Sequence, residues 1–247
     1  MYEEGLVARK VLEFDTAMFD PYREWEKTFE WDERHHSGRK KYLRNDGTYL
    51  IYLPNNELRV KGFSSLTAFQ NVNEFDHVWT NILKQPLELI AGQLGIDDPV
   101  IVQADVARMP PGGDTILHTD TRYQQRYSRR YNIAVSTNDD CWLYHNSYDL
   151  DNGGIRDHIS EGEVWELNNK IIHTAVNYGK TWRTHIIIDV MPRDYYFRML
   201  EVCEPFSKVP NPQRLNTTFD YNKDGTLMDQ QPLFSDRPHC FPSRTQV

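Results

Sequence analysis

PVIVQADVARMPPGGDTILHTD, residues 99–120, is where the chain turns from helical to extended. Val100, Ile101 and Val102 are β-branched and open a run that reads as a strand to Arg108. Pro110-Pro111-Gly112-Gly113 is a turn, and Thr115 to Thr119 reads as a second strand. Downstream, Tyr131–Ser136, Cys141–His145, Glu163–Leu167, Ile171–Val176 and Thr184–Val190 are further short strand-like runs. Loops rich in Asn, Asp and Gly separate them: Asn138-Asp139-Asp140, Asp151-Asn152-Gly153-Gly154, Asn168-Asn169 and Asn177-Tyr178-Gly179. Short strands at this regular spacing predict a sandwich or barrel of antiparallel strands, not βαβ units.

Upstream, residues 64–95 read as helical. Ser64-Ser65 can cap a first helix, and Val78, Ile82, Leu83, Leu87, Ile90 and Leu94 fall on one helical face up to Gly95, which would end the helix. Residues 1–60 are mixed: Tyr22 to Trp31 carries aromatics at irregular helical spacing, and Lys40 to Tyr52 reads as short strands broken at Asn45-Asp46-Gly47. Residues 191–203 read as a short helix, and after Pro205 the chain is an extended arm rich in Pro, Asn and Asp. No internal repeat is evident.

Composition narrows the class. The 247 residues suffice for a full core, and 39% hydrophobic with 26% charged residues is ordinary for a globular protein. The net charge of −8 disfavours phosphate-backbone binding, so nucleic acid is not the expected partner. Cys141, Cys203 and Cys240 are odd in number and widely spaced, which suggests neither a disulfide framework nor a zinc ribbon. The N-terminus Met1-Tyr2-Glu3-Glu4 lacks the apolar run of a signal peptide, and no stretch approaches the roughly 18 apolar residues of a membrane helix. The expectation is a soluble cytoplasmic protein without a membrane partner.

Three features carry chemistry. In His118-Thr119-Asp120, residues two apart on a strand point to one face, so an imidazole and a carboxylate would project together. Alone this pattern is as well explained by a polar strand end. His173 then lies inside the apolar run Ile171–Val176, and Arg183 opens Thr184–Val190. Two imidazoles and one carboxylate can hold one face of an octahedral Fe(II), leaving three positions for a bidentate keto acid and dioxygen. An arginine at a strand end supplies the planar fork that a terminal carboxylate needs. His185, two residues from Arg183, would face the same way and either help hold that carboxylate or fill the core. Thirdly, Arg122, Arg126 and Arg130 recur every four residues, as do Tyr123, Tyr127 and Tyr131. This stretch reads as a solvated basic loop, as a lid over the metal that takes an anionic group, or, least favoured, as a single-strand nucleic-acid contact. Trp142, Tyr144, His145 and Trp165 read mainly as packing residues, with Trp142 and Trp165 also candidates for the substrate pocket. Asp220 to Gln231 copies half of a calcium loop and reads as a turn, and His35-His36 as a surface loop.

These stretches carry a resemblance. Pro111 to Asp120, Arg130-Tyr131-Asn132, Thr137-Asn138, Gly162-Glu163-Val164-Trp165, His173 to Asn177 and Arg183 to Asp189 make the segment Val102–Pro192 similar to the aspartyl/asparaginyl β-hydroxylase-like group. That group includes bacterial free-proline hydroxylases and lies within the Fe(II)/2-oxoglutarate dioxygenases. The resemblance implies a mainly β fold with flanking helices, a double-stranded β-helix or cupin-like jelly roll. It does not reach residues 1–95 or the tail after Asp194; by its run of elements the chain divides into 1–98, an N-terminal α/β flanking region packed on the core, 99–194, the catalytic core, and 195–247, a C-terminal helix and extended tail. It implies His118, Asp120 and His173 as iron ligands, Arg183 on the far carboxylate of 2-oxoglutarate, and Arg130, Asn132 and His185 beside that co-substrate. Arg122 and Arg126 would face the substrate. Some family members have His in place of Asn132; Asn still donates a hydrogen bond but carries no charge. Animal aspartyl/asparaginyl β-hydroxylases lack the carboxylate ligand, so Asp120 brings this chain nearer the bacterial amino-acid hydroxylases. The expected activity is hydroxylation of a C–H bond of an amino acid or peptidyl side chain. The alternatives are a cupin-like metal-binding protein without oxygenase activity, and a metalloenzyme of this shape that does not use 2-oxoglutarate. A homodimer is left open.

Overall fold

A computed structural model describes residues 6–31, 49–53, 76–115, 117–120 and 128–196. Several expectations lie outside these residues: the Asn45-Asp46-Gly47 turn, the Ser64-Ser65 cap, His35-His36, Arg122, Arg126, Cys203, Cys240 and everything beyond residue 196.

The strands are β1 (Ala8–Glu13), β2 (Tyr49–Leu53), β3 (Pro99–Met109), β4 (Arg129–Ser136), β5 (Cys141–His145), β6 (Ile155–Asp157), β7 (Glu163–Leu167), β8 (His173–Asn177) and β9 (Arg183–Pro192). They form a larger sheet in the order β1-β7-β4-β9-β3-β2 and a smaller one in the order β6-β5-β8, with every pairing antiparallel. Bridges from Asp114 to Val176 and from His118 to His173 set these two residues along the free side of β8. From β3 onward the chain therefore crosses between the two sheets again and again, which is the winding of a double-stranded β-helix. Leu143 and Ala175 of the small sheet pack against Ala134, Leu167 and Trp165 of the large one.

Residue parity decides what each face of the large sheet does. Ala104 and Val106 of β3, Tyr131, Ile133 and Val135 of β4, Val164 of β7 and Ile186, Ile188 and Val190 of β9 form one apolar side. Phe19, Tyr22, Val78, Leu83, Leu87 and Ile90 cover it from the helices. The alternate residues, Gln103 and Asp105, Arg130 and Asn132, and Arg183, His185 and Asp189, stand in register on the opposite side, toward the small sheet. One set of positions builds the core and the other the site.

Two helices supply the cover. In α1 (Asp20–Thr28), Asp20 and Pro21 suit a first turn, since Pro has no N–H to lose there. Helix α2 runs as Asp76–Val78, a π-helical turn Trp79–Leu83 and Lys84–Ala91. Pro86 cannot donate to the carbonyl four residues back, and the wider turn just before it relieves the clash its ring would cause. No helix among the described residues is long and apolar enough to cross a membrane.

Three expectations need correction. Helix α2 ends at Ala91, with Gly92 at its C-cap. Gly95, at φ 69°, instead reverses the chain in the turn that follows. Asp114 and His118 make isolated bridges to β8 where the sequence predicts a strand over residues 115–119. Thr115 Oγ1 accepts the Ala175 N–H at 3.0 Å, so a side chain takes the bond that a ladder carbonyl would have taken. Arg130 lies in neither a loop nor a lid: it is a buried residue of β4, and Tyr131 beside it faces the opposite way.

Candidate active site

His118 and His173 exchange backbone hydrogen bonds of 2.9 and 2.8 Å across the gap between strands, which brings their rings to 4.6 Å between centroids. The Asp120 N–H donates to the Asn169 carbonyl at 2.9 Å, and this anchors the third residue beside them. The ligating atoms of His118, Asp120 and His173 all lie within 4.8 Å of one another. The His173 Nδ1–H donates to the Ile171 carbonyl at 2.9 Å, so its Nε2 lone pair is turned to the cluster. Burial, reinforced by the His118 ring, holds the His173 pKa down to about 3, so the imidazole is neutral and able to ligate. Two imidazoles and a carboxylate on one side of a gap suit a divalent iron with open positions better than a closed zinc site.

Arg183 begins β9 on the same inward face and is buried. Its Nη2–H donates to His185 Nδ1 at 2.7 Å, and no carboxylate among the described residues pairs with it. Burial alone pulls its pKa down to about 10, which still leaves it charged near neutrality. Because His185 Nδ1 accepts from Arg183, Nε2 carries the ring's proton, and this buried Nε2 has no hydrogen-bond partner. Burial, and then the Arg183 charge, keeps His185 neutral, well below its ordinary pKa. A guanidinium and an imidazole N–H thus stand together inside the protein as donors without an anion.

Arg130 and Asn132 lie on β4 within the same interior. Arg130 forks onto Asp189 through Nε and Nη2 at 2.9 and 2.8 Å, and its Nη1 donates to Asp120 Oδ2. Burial opposes its charge, but Asp120 and Asp189 together push its pKa well above the ordinary value. Gln103 donates to Asp105 at 2.7 Å beside this group. Trp165 is in register with Asn132 on the inward face, with its indole N–H on Glu163 at 2.8 Å. Trp142 is a correction. One parity step separates it from the residues facing His173, and it stacks instead under the Arg156 guanidinium at 4.1 Å on the other face of the small sheet.

Sequence reading missed Asp189, Asp105 and the position of His145. A lone carboxylate inside Ile186-Ile187-Ile188-Asp189-Val190 was the available signal, since a charge in a continuous apolar strand needs a buried partner. His145 lies directly across from His173 in the ladder. It is fully buried, with Asp157 at 3.4 Å from Nε2 and neither ring nitrogen hydrogen-bonded.

Among solved structures, the chain is similar to a Pseudomonas putida prolyl-4-hydroxylase at 14% identity, covering 77% of this chain and 94% of that one, with a TM-score of 0.42. It is similar to HygX from Streptomyces hygroscopicus with nickel and 2-oxoglutarate bound at 12% identity, covering 76% and 83%, with a TM-score of 0.42. It is also similar to the α-ketoglutarate-dependent epimerase SnoN from nogalamycin biosynthesis at 14% identity, covering 76% and 79%, with a TM-score of 0.45. Comparison with curated proteins finds no match. The aspartyl/asparaginyl β-hydroxylase family model matches residues 69–192, half of the chain, and begins upstream of Val102 so as to take in α2. With that match over the helix and strands that carry the triad, the chain belongs to the aspartyl/asparaginyl β-hydroxylase family of 2-oxoglutarate-dependent Fe(II) oxygenases.

Proposed function

We propose that this protein hydroxylates a C–H bond of an amino acid or peptidyl side chain, with Fe(II) held by His118, Asp120 and His173 and 2-oxoglutarate anchored by Arg183. The observation that carries this reading is the buried Arg183–His185 pair without a carboxylate partner on the face of the large sheet that looks toward the small sheet, which carries a three-ligand cluster. A buried guanidinium is costly unless an anion meets it, and a dicarboxylate reaching from the metal would supply one. The family's description favours an amino-acid or peptidyl substrate.

When bound, iron and 2-oxoglutarate supply the oxidising power for C–H hydroxylation with dioxygen. The protein's own residues do the rest. His173 offers Nε2 because the Ile171 carbonyl holds its other nitrogen. Arg183 and the His185 Nε2–H would hold the far carboxylate and so orient the co-substrate. The buried residues around Arg183 and His173 would limit water at the site.

The deciding experiment is an anaerobic titration of the metal-free protein with Fe(II) and 2-oxoglutarate, followed through the weak visible charge-transfer band of the chelate. The band should appear in the wild type and vanish in His173→Ala. Metal binding without any band would make the protein a cupin-like metal binder or a different metalloenzyme.

A further inference from the structure

The described site gives Arg130 more than charge compensation. A free guanidinium has five N–H donors in a rigid plane. Here Nε and Nη2 are committed to the two oxygens of Asp189, a carboxylate that is itself 1% exposed. That fork fixes the plane of the guanidinium and directs Nη1 at Oδ2 of Asp120. The Asp120 carboxylate has two oxygens, with Oδ1 3.8 Å from His118 Nε2 and Oδ2 3.9 Å from His173 Nε2. Either oxygen could ligate a metal placed among the triad, and so could both together.

On the reading that the triad binds iron, denticity decides whether the reaction can run. Two imidazoles and one carboxylate oxygen leave three of six positions open, two for the keto acid and one for dioxygen. A carboxylate bound through both oxygens leaves two, and the keto acid fills them.

We infer that Arg130, anchored by Asp189, is a positioning residue that engages Oδ2 of Asp120, keeps that carboxylate a one-oxygen ligand, and so preserves the coordination place that dioxygen needs. Arg130 thereby acts through Asp120 and not on the co-substrate.

The test uses Mn(II) as the probe on the full-length protein without co-substrate, and counts metal-bound waters by water-proton relaxation. The wild type should carry three waters. The variant is Arg130→Met combined with Asp189→Leu, which removes the two members of the buried fork together, so that neither is left facing the other's empty place. It should bind Mn(II) at least as tightly and carry two waters. It should also keep its 2-oxoglutarate affinity within about threefold while turnover falls more than about tenfold. Two waters on the wild type, or three on the folded variant, overturn the inference. A large loss of 2-oxoglutarate affinity with the water count unchanged returns Arg130 to the co-substrate. Should the double variant fail to fold, Arg130→Lys carries the same test, since an ammonium cannot fork Asp189 and reach Asp120 together. Wild-type protein that binds no Mn(II) refutes the iron reading itself.

Discussion

At Arg183 the interior holds a charge for which the described protein offers no counter-charge. Arg183→Met should weaken 2-oxoglutarate binding about a hundredfold, the loss expected when about 3 kcal/mol of charge-assisted hydrogen bonding goes, while Fe(II) affinity stays unchanged. Titrating the charge-transfer band in both proteins measures this, and an unchanged midpoint would refute the assignment. Asp120→Ala removes the one anionic ligand and should abolish coupled turnover; wild-type coupling in that variant would sink the triad. These residues were legible in the sequence because their chemistry is carried by residue type and order: His-x-Asp, a later His in an apolar run, an Arg at a strand start. Asp189 was not, because its meaning lies in Arg130 across the sheet, and Asp105 was not, because nothing in its strand run marks it as buried beside Gln103. Arg130 was legible as important, but its recurrence with Arg122 and Arg126 grouped it with a basic loop or lid, whereas it is a buried residue of β4.

The elements place these side chains with different strengths. Thr115 is tied to β8 by a mixed pairing in which its Oγ1 receives the Ala175 N–H and the Thr174 hydroxyl donates to its carbonyl. Thr115→Val keeps the shape and removes the acceptor, leaving a backbone N–H unpaired. It should cost about 1–3 kcal/mol in denaturant unfolding and weaken metal binding through His118, three residues along. A variant as stable as wild type and with full metal affinity would show that the Thr115 hydroxyl is dispensable. Helix α2 acts only through the outer face. Leu87→Ala should destabilise the fold by about 2–5 kcal/mol and leave metal affinity intact, because Leu87 lies in the apolar cluster on the side away from the triad. A metal Kd that moved with it would contradict the separation of the two faces. The long strands were readable from their β-branched runs. The three-residue β6 was not, because it is too short to show a period, and the gap at Thr115 was not, because a threonine looks like any other strand residue until its hydroxyl is seen to replace a carbonyl.

Across the whole molecule, two buried histidines link folding to protons. His173 is held neutral down to about pH 3, and His185 is likewise held well below the ordinary value. In the unfolded chain both titrate near the usual histidine pKa of about 6.5. The unfolded state therefore binds more protons throughout the window between about 6.5 and 3, and stability rises with pH there. Metal-free protein should keep its full stability above about pH 7 and lose about 1.4 kcal/mol per pH unit for each histidine as the pH falls well below 6.5. Comparing urea midpoints at about pH 7.5 and about pH 5 checks this; equal midpoints would mean that neither ring is neutral in the fold. Strand spacing made an antiparallel sandwich or barrel legible and the quoted family stretches made it a double-stranded β-helix, whereas the helices that cover it left only a partial pattern.

The alternation of core-facing and site-facing residues on β3, β4 and β9 bears on how such a protein can change its chemistry over time. The three strands amount to two interleaved texts, one at odd and one at even spacing. Point substitutions can revise the inward text, and with it the choice of substrate, while the outward text goes on specifying the same scaffold. A one-codon insertion or deletion inside any of these strands exchanges the two texts at once. New specificities should therefore be reached through substitutions at positions such as 103, 105, 132 and 187, and length variation should be confined to the loops between strands.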